Sequence, residues 1–330
     1  MSRSTNHPFE VLTPEFIMDA VESRGYRCDC RNLTLNSYEN RVYQVGIEEH
    51  PTLIAKFYRP ERWSDEQIRE EHALVRELAE AELPVVAPLA DPVGDTLFTY
   101  RGFRFSLFPR KGGHAPELDH LDNLVILGRL LGRMHLIGRK QAFAYRPALD
   151  LETFGRQSVE LICDRFIPHE YRESYAAVTF ELLRTIENIQ RQAGGVTPIR
   201  VHGDCHSGNI LWRDDNPHFV DFDDARMAPA IQDLWMLLCG SRQRQTEQLD
   251  AILEGYTQFC DFNPQELLLA ESLRALRMLH HSAWLARRWE DPAFPVNFPW
   301  FNTIPYWSEQ ILHLREQLAA LYEPPLALLG

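Results

Sequence analysis

Two short acidic stretches contain the residues whose types and spacing could do chemistry. The first places His202, Asp204 and Asn209 in the pattern His-x-Asp-x-x-x-x-Asn, and the second sets Asp221 between apolar residues. In phosphoryl transfer, an Asp accepts the proton of the attacking hydroxyl, and an Asn five residues later binds a magnesium ion. Asp221 stands where a second metal-binding carboxylate is needed. The two stretches therefore predict Asp204 and Asp221 as catalytic residues, and Asn209 and Asp221 as metal ligands.

These residue types suit the reaction. A transferred phosphoryl group needs little covalent work from a protein, so catalysis depends on placing nucleophile, metal and nucleotide in line. Mg²⁺ prefers hard oxygen ligands and keeps several waters, so one or two protein carboxylates are enough. Asp204 alone fits a turn residue equally well, because Asp bonds its own backbone in turns. The combined spacing favours catalysis, with His202 supporting the loop through hydrogen bonds.

The residues before these stretches show the alternation of β-strands. Arg41–Val45 and residues 52–58 predict one hairpin, and residues 96–100 with 103–108 predict a second. Between the two hairpins, Ser64 opens a helix with a capping box, and its apolar face continues to about residue 82. We therefore predict an α+β amino-terminal half with an antiparallel sheet.

A cluster of glycine and proline marks the boundary of this half. Residues 109–113 read Pro-Arg-Lys-Gly-Gly, and helical periodicity dominates after them. We predict an amino-terminal lobe over residues 1–108 with the nucleotide-binding sheet, and a hinge at 109–113. Residues 114–330 form the predicted carboxy-terminal lobe, which is mostly helical and holds the catalytic loop and the metal site.

The amino-terminal half also offers nucleotide-binding candidates. Lys56 ends the most β-prone run, where kinases place a lysine that contacts phosphates. Glu71, on the following helix, is the predicted ion-pair partner of Lys56, and Glu70 is the close competitor. Ser37 lies in the turn 36–42, which has no glycine. Its hydroxyl and the turn amides can donate to phosphate oxygens, and an ordinary polar β-turn is the equal alternative.

Composition excludes some classes of partner. The 330 residues carry a formal net charge of -13 with 45% hydrophobic residues, which indicates a globular protein with a sizeable core. A nucleic-acid surface normally needs a basic patch, and an acidic membrane surface would repel this charge. No apolar run is long enough for a membrane span, and residues 1–8 lack the apolar region of a secretory signal. We therefore predict a cytoplasmic monomer that binds neither nucleic acid nor membrane.

Two further features leave alternatives open. Asp233 begins a helix, where it either braces the catalytic loop by accepting backbone hydrogen bonds or simply favours the helix start. Residues 284–307 are rich in tryptophan and phenylalanine, most of which we expect in the core. The alternative is a wall of the acceptor cleft, to which Arg287 and Arg288 add charge.

These motifs, in this order, resemble a known fold. Lys56, Glu71, Asp204, Asn209 and Asp221 follow one another as in the kinase-like fold of aminoglycoside and choline phosphotransferases, whose loop reads His-Gly-Asp-x-His-x-Gly-Asn. The resemblance implies a two-lobed protein-kinase-like architecture. It spans roughly residues 30 to 240.

A closer resemblance covers almost the whole chain. The motifs at 36–43, 56–63, 232–238 and 291–300 are similar to those of the bacterial stress response kinase A family. This resemblance implies ATP- and Mg²⁺-dependent phosphorylation of protein serine and threonine in a stress response. It also implies Asp204 as proton acceptor, Asn209 and Asp221 as Mg²⁺ ligands, and Ser37 near ATP.

The nature of the acceptor stays open at this point. Only eleven residues separate Asp221 from Asp233, without an Ala-Pro-Glu segment, so the chain has no room for a long peptide-docking activation loop. That spacing favours a small-molecule kinase acting on an aminoglycoside, choline or homoserine-like hydroxyl, whereas the resemblance favours a protein Ser/Thr kinase. A nucleotide-binding pseudokinase is the third hypothesis, and the intact set of Lys56, Asp204, Asn209 and Asp221 argues against it.

Overall fold

The computed structural model describes residues 8–214 and 216–328, which form two compact units. Unit 1 contains the chain up to Glu117, together with Phe143–Arg146 and His206–Ala225. Unit 2 contains Leu118–Ala142, Pro147–Cys205 and the chain from Arg226 onwards. The prediction that the chain lacks a secretory signal was made on residues 1–8, and residues 1–7 lie outside the described residues. The lobe boundaries proposed at 108 and 114 stay a prediction, and unit 1 takes in residues from far beyond them.

The longer strands lie before residue 110, and most of the helices lie after it. The strands are β1 Cys28–Thr34, β2 Arg41–Ile47, β3 His50–Phe57, β4 Phe98–Tyr100, β5 Phe103–Pro109, β6 Ile199–Val201, β7 Ile210–Arg213, β8 Asn216–Phe219 and β9 Arg226–Ala228. The α-helices are α1 Pro14–Glu22, α2 Asp65–Glu80, α3 Leu121–Gly138, α4 Gln157–Arg165, α5 His169–Gln192, α6 Ile231–Trp235, α7 Arg242–Tyr256, α8 Ala270–Arg287, α9 Ala293–Asn297 and α10 Ile304–Leu321.

Unit 1 is built on an antiparallel sheet with the strand order β1-β2-β3-β5-β4. The central strand β3 pairs with β2 and β5, so that Lys56 lies opposite Val42 on one side and Ser106 on the other. Alternate residues of these strands face helix α1, and the rings of Phe57 and Phe105 stack at 5.3 Å between centroids in that core. The sheet therefore fixes Lys56 in its most rigid part.

Helix α2 begins as its sequence predicts. The Ser64 side chain accepts a hydrogen bond from the Gln67 backbone N–H, and the Gln67 side chain accepts one from the Ser64 backbone N–H. This reciprocal pair is the capping box. Ile68, Leu74 and Leu78 are buried on one face of the helix, and the same periodicity buries Glu71.

Unit 2 is mostly helical, and helix α3 packs against strand β6 of the short β6–β9 ribbon. Helices α3 and α7 approach so tightly that a Cβ at Gly128 would lie 2.0 Å from the carbonyl oxygen of Ile252. The close approach fixes His135, near the end of α3, against Tyr256 at the end of α7. None of the helices within the described residues is both long and apolar enough to cross a bilayer.

Candidate active site

A β-hairpin in unit 1 brings the two predicted metal ligands together. Strands β7 and β8 pair in antiparallel register with Ile210 opposite Phe219. The Asn209 carbonyl accepts a hydrogen bond from the Val220 backbone N–H at 3.0 Å, which closes the open end of the hairpin. Asp221 is the next residue, so Asn209 and Asp221 leave the same end of one hairpin.

Asp221 follows the hairpin in a backbone conformation that residues other than glycine rarely adopt. Its φ of 58° and ψ of 62° lie in the left-handed region, which costs of order 1 kcal/mol for a residue with a Cβ. The Asp221 side chain is 54% exposed, and its Oδ1 lies 3.0 Å from Lys56 Nζ. The strained turn therefore presents the carboxylate to Lys56 and to solvent.

Lys56 and Asp223 form the buried centre of an ion cluster. Lys56 Nζ lies 3.1 Å from Asp223 Oδ1, and both side chains are more than nine-tenths buried. Burial acts to lower the pKa of Lys56, but the carboxylates of Asp221 and Asp223 outweigh it and hold the pKa well above its usual value. The lysine therefore stays charged.

Arg62 completes this cluster from the segment before α2. Its guanidinium contacts Asp223 and lies 3.0 Å from Asp224 Oδ1. Burial would raise the pKa of Asp223, but Arg62 and Lys56 more than offset it and lower that pKa to about 2. Asp223 is therefore ionised at neutral pH.

Glu71 differs from its predicted pairing. We expected an ion pair with Lys56, but Glu71 Oε2 lies 3.1 Å from an Arg146 guanidinium nitrogen, and Lys56 contacts Asp221 and Asp223 instead. Lys56 still attracts the Glu71 carboxylate, but burial outweighs both cations and raises the Glu71 pKa to about 7. The direct Lys56–Glu71 pair is thus replaced by two neighbouring pairs within one charged cluster.

Arg146 connects helix α2 to the segment after Asp221. Its guanidinium donates to the carbonyl oxygens of Asp223 and Ala225, and to that of Gln67 on the helix. It also lies 4.6 Å above the Trp63 ring. Arginine suits this place because its planar group donates in several directions at once.

Glu70, the competitor of Glu71, has a different role. Its carboxylate accepts hydrogen bonds from the backbone N–H groups of Ala144, Tyr145 and Arg146 at 2.6 to 2.9 Å. These bonds hold residues 143–146 against α2. Glu70 therefore positions Arg146, and Glu71 is the one that joins the charged cluster.

The turn at residues 36–42, predicted to bind phosphate, is fixed by hydrogen bonds with Arg59. Arg59 donates to the carbonyl oxygens of Glu39 and Tyr38 at 2.9 and 3.1 Å, and its own backbone N–H donates to Asn40 Oδ1 at 3.0 Å. Ser37 is half-buried in this turn. The turn is therefore fixed without glycine, and the role of Ser37 in nucleotide binding stays a prediction.

In unit 2, Asp233 holds the loop that precedes Asn209. Its two carboxylate oxygens accept hydrogen bonds from the backbone N–H groups of His202 and Gly203 at 2.8 and 2.9 Å. His135 Nε2 lies 3.1 Å from the same carboxylate, and the Gln232 side chain donates to the Gly203 carbonyl oxygen. Of the two roles considered for Asp233, the geometry is that of the brace.

Asp204 follows a glycine whose conformation the loop requires. Gly203 has a φ of 84°, where a Cβ would be strained. The Asp204 backbone N–H donates to His202 Nδ1 at 3.3 Å, so His202 supports the loop through a hydrogen bond. The Asp204 carboxylate is half-buried and forms an ion pair with Arg277 from α8.

Asn209 and Asp221 present donors that suit a magnesium ion. Amide and carboxylate oxygens are hard ligands, and the exposure of Asp221 leaves room for waters and phosphate oxygens that Mg²⁺ keeps around it. Within residues 8–214 and 216–328, no three or more His, Cys, Asp or Glu side chains group into a metal cluster. The donor set fits a metal held jointly with a phosphate-bearing ligand.

Several site residues were not found by sequence reasoning. Arg62, Arg146 and Asp223 belong to the charged cluster around Lys56, and Arg277 contacts Asp204. Asp223 was within reach of such reasoning because it follows Asp221 by two residues. The arginines gave no signal, since a single arginine at a helix edge is usually a solvated charge.

Comparison with known proteins identifies the family of this chain. Residues 33–269 match the phosphotransferase enzyme family. Stress response kinase A from Escherichia coli O157:H7 is 47% identical over 321 residues, which cover 97% of each chain. Serine/threonine protein kinase RdoA from Salmonella typhimurium strain LT2 is 46% identical over 321 residues, again 97% of each chain.

A solved structure shows the same fold at low sequence identity. The amicoumacin kinase hAmiN, in complex with AMP-PNP, Ca²⁺ and Ami, has a TM-score of 0.68 with 18% identity, covering 90% of this chain and 89% of that chain. This likeness confirms the predicted kinase-like α+β fold. The family match and the relatives confirm the resemblance found in the sequence. The chain is therefore a phosphotransferase that belongs to the phosphotransferase enzyme family and, within it, to the stress response kinase A family.

Proposed function

We propose that this phosphotransferase is an ATP- and Mg²⁺-dependent serine/threonine protein kinase. The observation that carries the proposal is the contact of buried Lys56 with Asp221 at the open end of the hairpin that also holds Asn209. This arrangement gathers a permanent positive charge and two hard oxygen donors. A phosphate chain with its metal needs both kinds of group.

Each residue has a defined part in this proposal. Lys56 binds phosphate oxygens of ATP, and Asn209 with Asp221 holds Mg²⁺, which when bound neutralises charge on the phosphates. Asp204 accepts the proton of the acceptor hydroxyl. Ser37 caps a phosphate oxygen from the turn that leads into β2, and Glu71 pairs with Arg146 next to Lys56.

The names of the relatives support a protein acceptor. The Salmonella typhimurium relative is named a serine/threonine protein kinase. A small alcohol is the second candidate, because residues 222–235 are occupied by a short 3-10 helix, β9 and α6 rather than by a long docking loop. The amicoumacin kinase hAmiN shares the fold.

The net charge of -13 argues against a nucleic acid as a partner, and a cytoplasmic monomer stays a prediction of the sequence.

Transfer from labelled ATP tests the proposal. The purified protein with Mg²⁺ is incubated with a generic protein acceptor and, separately, with aminoglycosides, choline and homoserine. We expect acid-stable label on serine or threonine of the protein. Transfer only to a small alcohol would favour the second candidate, and nucleotide binding without any transfer would favour a pseudokinase.

The Asp204→Asn variant tests the site itself. Removing a general base typically lowers kcat by about 10²- to 10⁴-fold, and Asp250→Asn, an exposed position on α7, is the matched control. Thermal unfolding of both variants checks that the fold is retained. Full activity of Asp204→Asn would show that the proton acceptor is another residue.

A further inference from the structure

One face of helix α8 carries a stripe of basic and aromatic side chains that includes the partner of Asp204, and Arg288 extends it past the last residue of the helix. Arg274, Arg277, His281, Trp284 and Arg288 follow one another at spacings of three and four residues, which places them along one side of a helix. Arg277, the second of the five, pairs with Asp204. The stripe therefore contacts the proposed proton acceptor at Arg277 and continues on both sides of it.

Three side chains of this stripe stack on one another. The Arg288 guanidinium lies 5.4 Å from the Trp284 ring and donates to the Trp284 carbonyl oxygen at 3.2 Å, and the His281 and Trp284 rings are stacked at 5.8 Å and 21°. Arg274 lies 5.0 Å from the Trp235 ring and pairs with Glu271. A guanidinium stacked on a ring still directs its N–H donors outward from the edge of its plane, the geometry that binds carboxylate or phosphate.

Arg277 is the member that contacts the reacting part of the site. Its side chain is 43% exposed and that of Asp204 is 21% exposed. Solvent screens such a pair, so the attraction is weak and an incoming anion can compete for the guanidinium. While Arg277 contacts Oδ1 of Asp204, that oxygen is less available to an acceptor hydroxyl.

The charge of the whole chain makes this stripe selective. A net charge of -13 repels acidic segments over most of the surface. Arg277 beside Asp204 is therefore a place where an acidic segment is attracted. A basic segment would instead bring like charges together at Arg277 and Arg288.

We infer that the α8 stripe is the acceptor-docking surface, and that it selects serine or threonine in an acidic peptide segment. A carboxylate or phosphate near the acceptor residue binds Arg277 and draws it from Asp204, which frees Oδ1 to accept the hydroxyl proton. Arg277 is a specificity-determining anchor for the substrate. The inference deepens the proposed function and rests on it, since it takes Asp204 as the proton acceptor.

Peptides that differ only in flanking charge test this inference. Three peptides of equal length carry one serine flanked by Asp and Glu, by Ala and Gln, or by Lys and Arg, and kcat and KM are measured for each with ATP and Mg²⁺. We expect a kcat/KM about tenfold or more higher for the acidic peptide than for the neutral one, with the basic peptide poorest.

The variant Arg277→Gln separates docking from support of Asp204. We expect it to raise KM for the acidic peptide about tenfold, so that the acidic peptide loses its advantage in kcat/KM over the neutral one. Arg277→Lys keeps the charge without the planar fork and should lie between the two. Arg315→Gln, an exposed arginine on α10, is the matched control.

Each other outcome overturns the inference. Equal kcat/KM for the three peptides in the wild-type protein would overturn it and leave the protein-kinase proposal intact. A loss of kcat in Arg277→Gln that is the same for acidic and neutral peptides would show that Arg277 only orients Asp204. Transfer to a small alcohol and to none of the peptides would overturn both proposals.

Discussion

The charged cluster of unit 1 and the brace of unit 2 hold short acidic segments by different means. In unit 1, Lys56, Arg62 and Arg146 contact the segment from Asp221 to Ala225 with full positive charges. In unit 2, one carboxylate, that of Asp233, accepts two backbone N–H groups of the His202 loop. The first arrangement fixes the positions of charged groups, and the second fixes the backbone conformation of a loop.

This difference fits the role proposed for each segment. A segment proposed to bind phosphate and metal needs charges that stay in place after the ligand leaves, because rearranging buried charges is costly. A loop with the role proposed for Asp204 needs a fixed backbone, because the position of one carboxylate decides whether it can reach a hydroxyl proton. The comparison therefore predicts that unit 1 depends on paired charges and unit 2 on single acceptor atoms.

Breaking a charge pair in unit 1 should have the largest effect. Arg146→Met leaves Glu71 buried without its cation and removes donors to three carbonyl oxygens, so we expect a loss of about 3–5 kcal/mol in the free energy of unfolding at pH 8. Urea unfolding measures it. Adding Glu71→Gln should recover part of the loss, and strictly additive effects would contradict the pairing.

Removing the brace should cost less and should depend on how many acceptor atoms remain. Asp233→Ala leaves two buried backbone N–H groups unpaired, at about 1–3 kcal/mol each, so we expect a loss on the order of 3 kcal/mol. Asp233→Asn keeps one acceptor oxygen and should lose less. Equal losses in the two variants, measured by urea unfolding, would show that the charge of Asp233 matters more than its geometry.

The most gradual expected effect is a dependence of stability on pH. Glu71 has a folded-state pKa of about 7 against a usual 4.5, so between these values the folded state keeps a proton that the unfolded state has lost. The free energy of unfolding should therefore fall as pH rises through this window, by at most about 1.4 kcal/mol per pH unit.

Glu71→Gln provides the control for this slope. It cannot titrate, so urea unfolding between pH 5 and 8 should show a flatter profile than the wild-type protein. Asp223 acts in the opposite sense. Because its pKa is lowered to about 2, its carboxylate stabilises the folded state above pH 3.8, and this stabilisation is lost as the pH falls from 3.8 to about 2. A wild-type slope that persists in Glu71→Gln would assign the proton to another group.

Local signals in the sequence predicted much of the fold. The capping box at Ser64 and the alternation of β2, β3 and β5 are encoded by neighbouring residues, and the structure has these elements within a few positions of the predicted ones. The π-helical turn at Glu152–Arg156 and helix α4 were missed. Gly155 interrupts the apolar pattern there, and a Cβ in its place would meet Leu183 and Leu276 from elsewhere in the chain.

Spacing alone led to the proposed site residues, whose roles stay a prediction. Asp204, Asn209 and Asp221 follow a fixed pattern, and the brace by Asp233 was one of two stated alternatives. The cluster partners were not predictable, because Arg62 is 161 residues from Asp223. Whether Glu70 or Glu71 joins the cluster depends on where residues 143–146 fold, which no local pattern shows.

Unit 1 is built from three separate segments of the chain, which affects how it folds during synthesis on the ribosome. Its sheet ends at Pro109, but it also needs Phe143–Arg146 and His206–Ala225, the second of which emerges about a hundred residues later. Until then Lys56 has neither Asp221 nor Asp223 beside it, and Glu71 gains Arg146 only once residues 143–146 have emerged. A nascent chain that stops after residue 117 therefore buries charges without partners, so we expect the amino-terminal segment to complete its fold only when translation has passed Ala225.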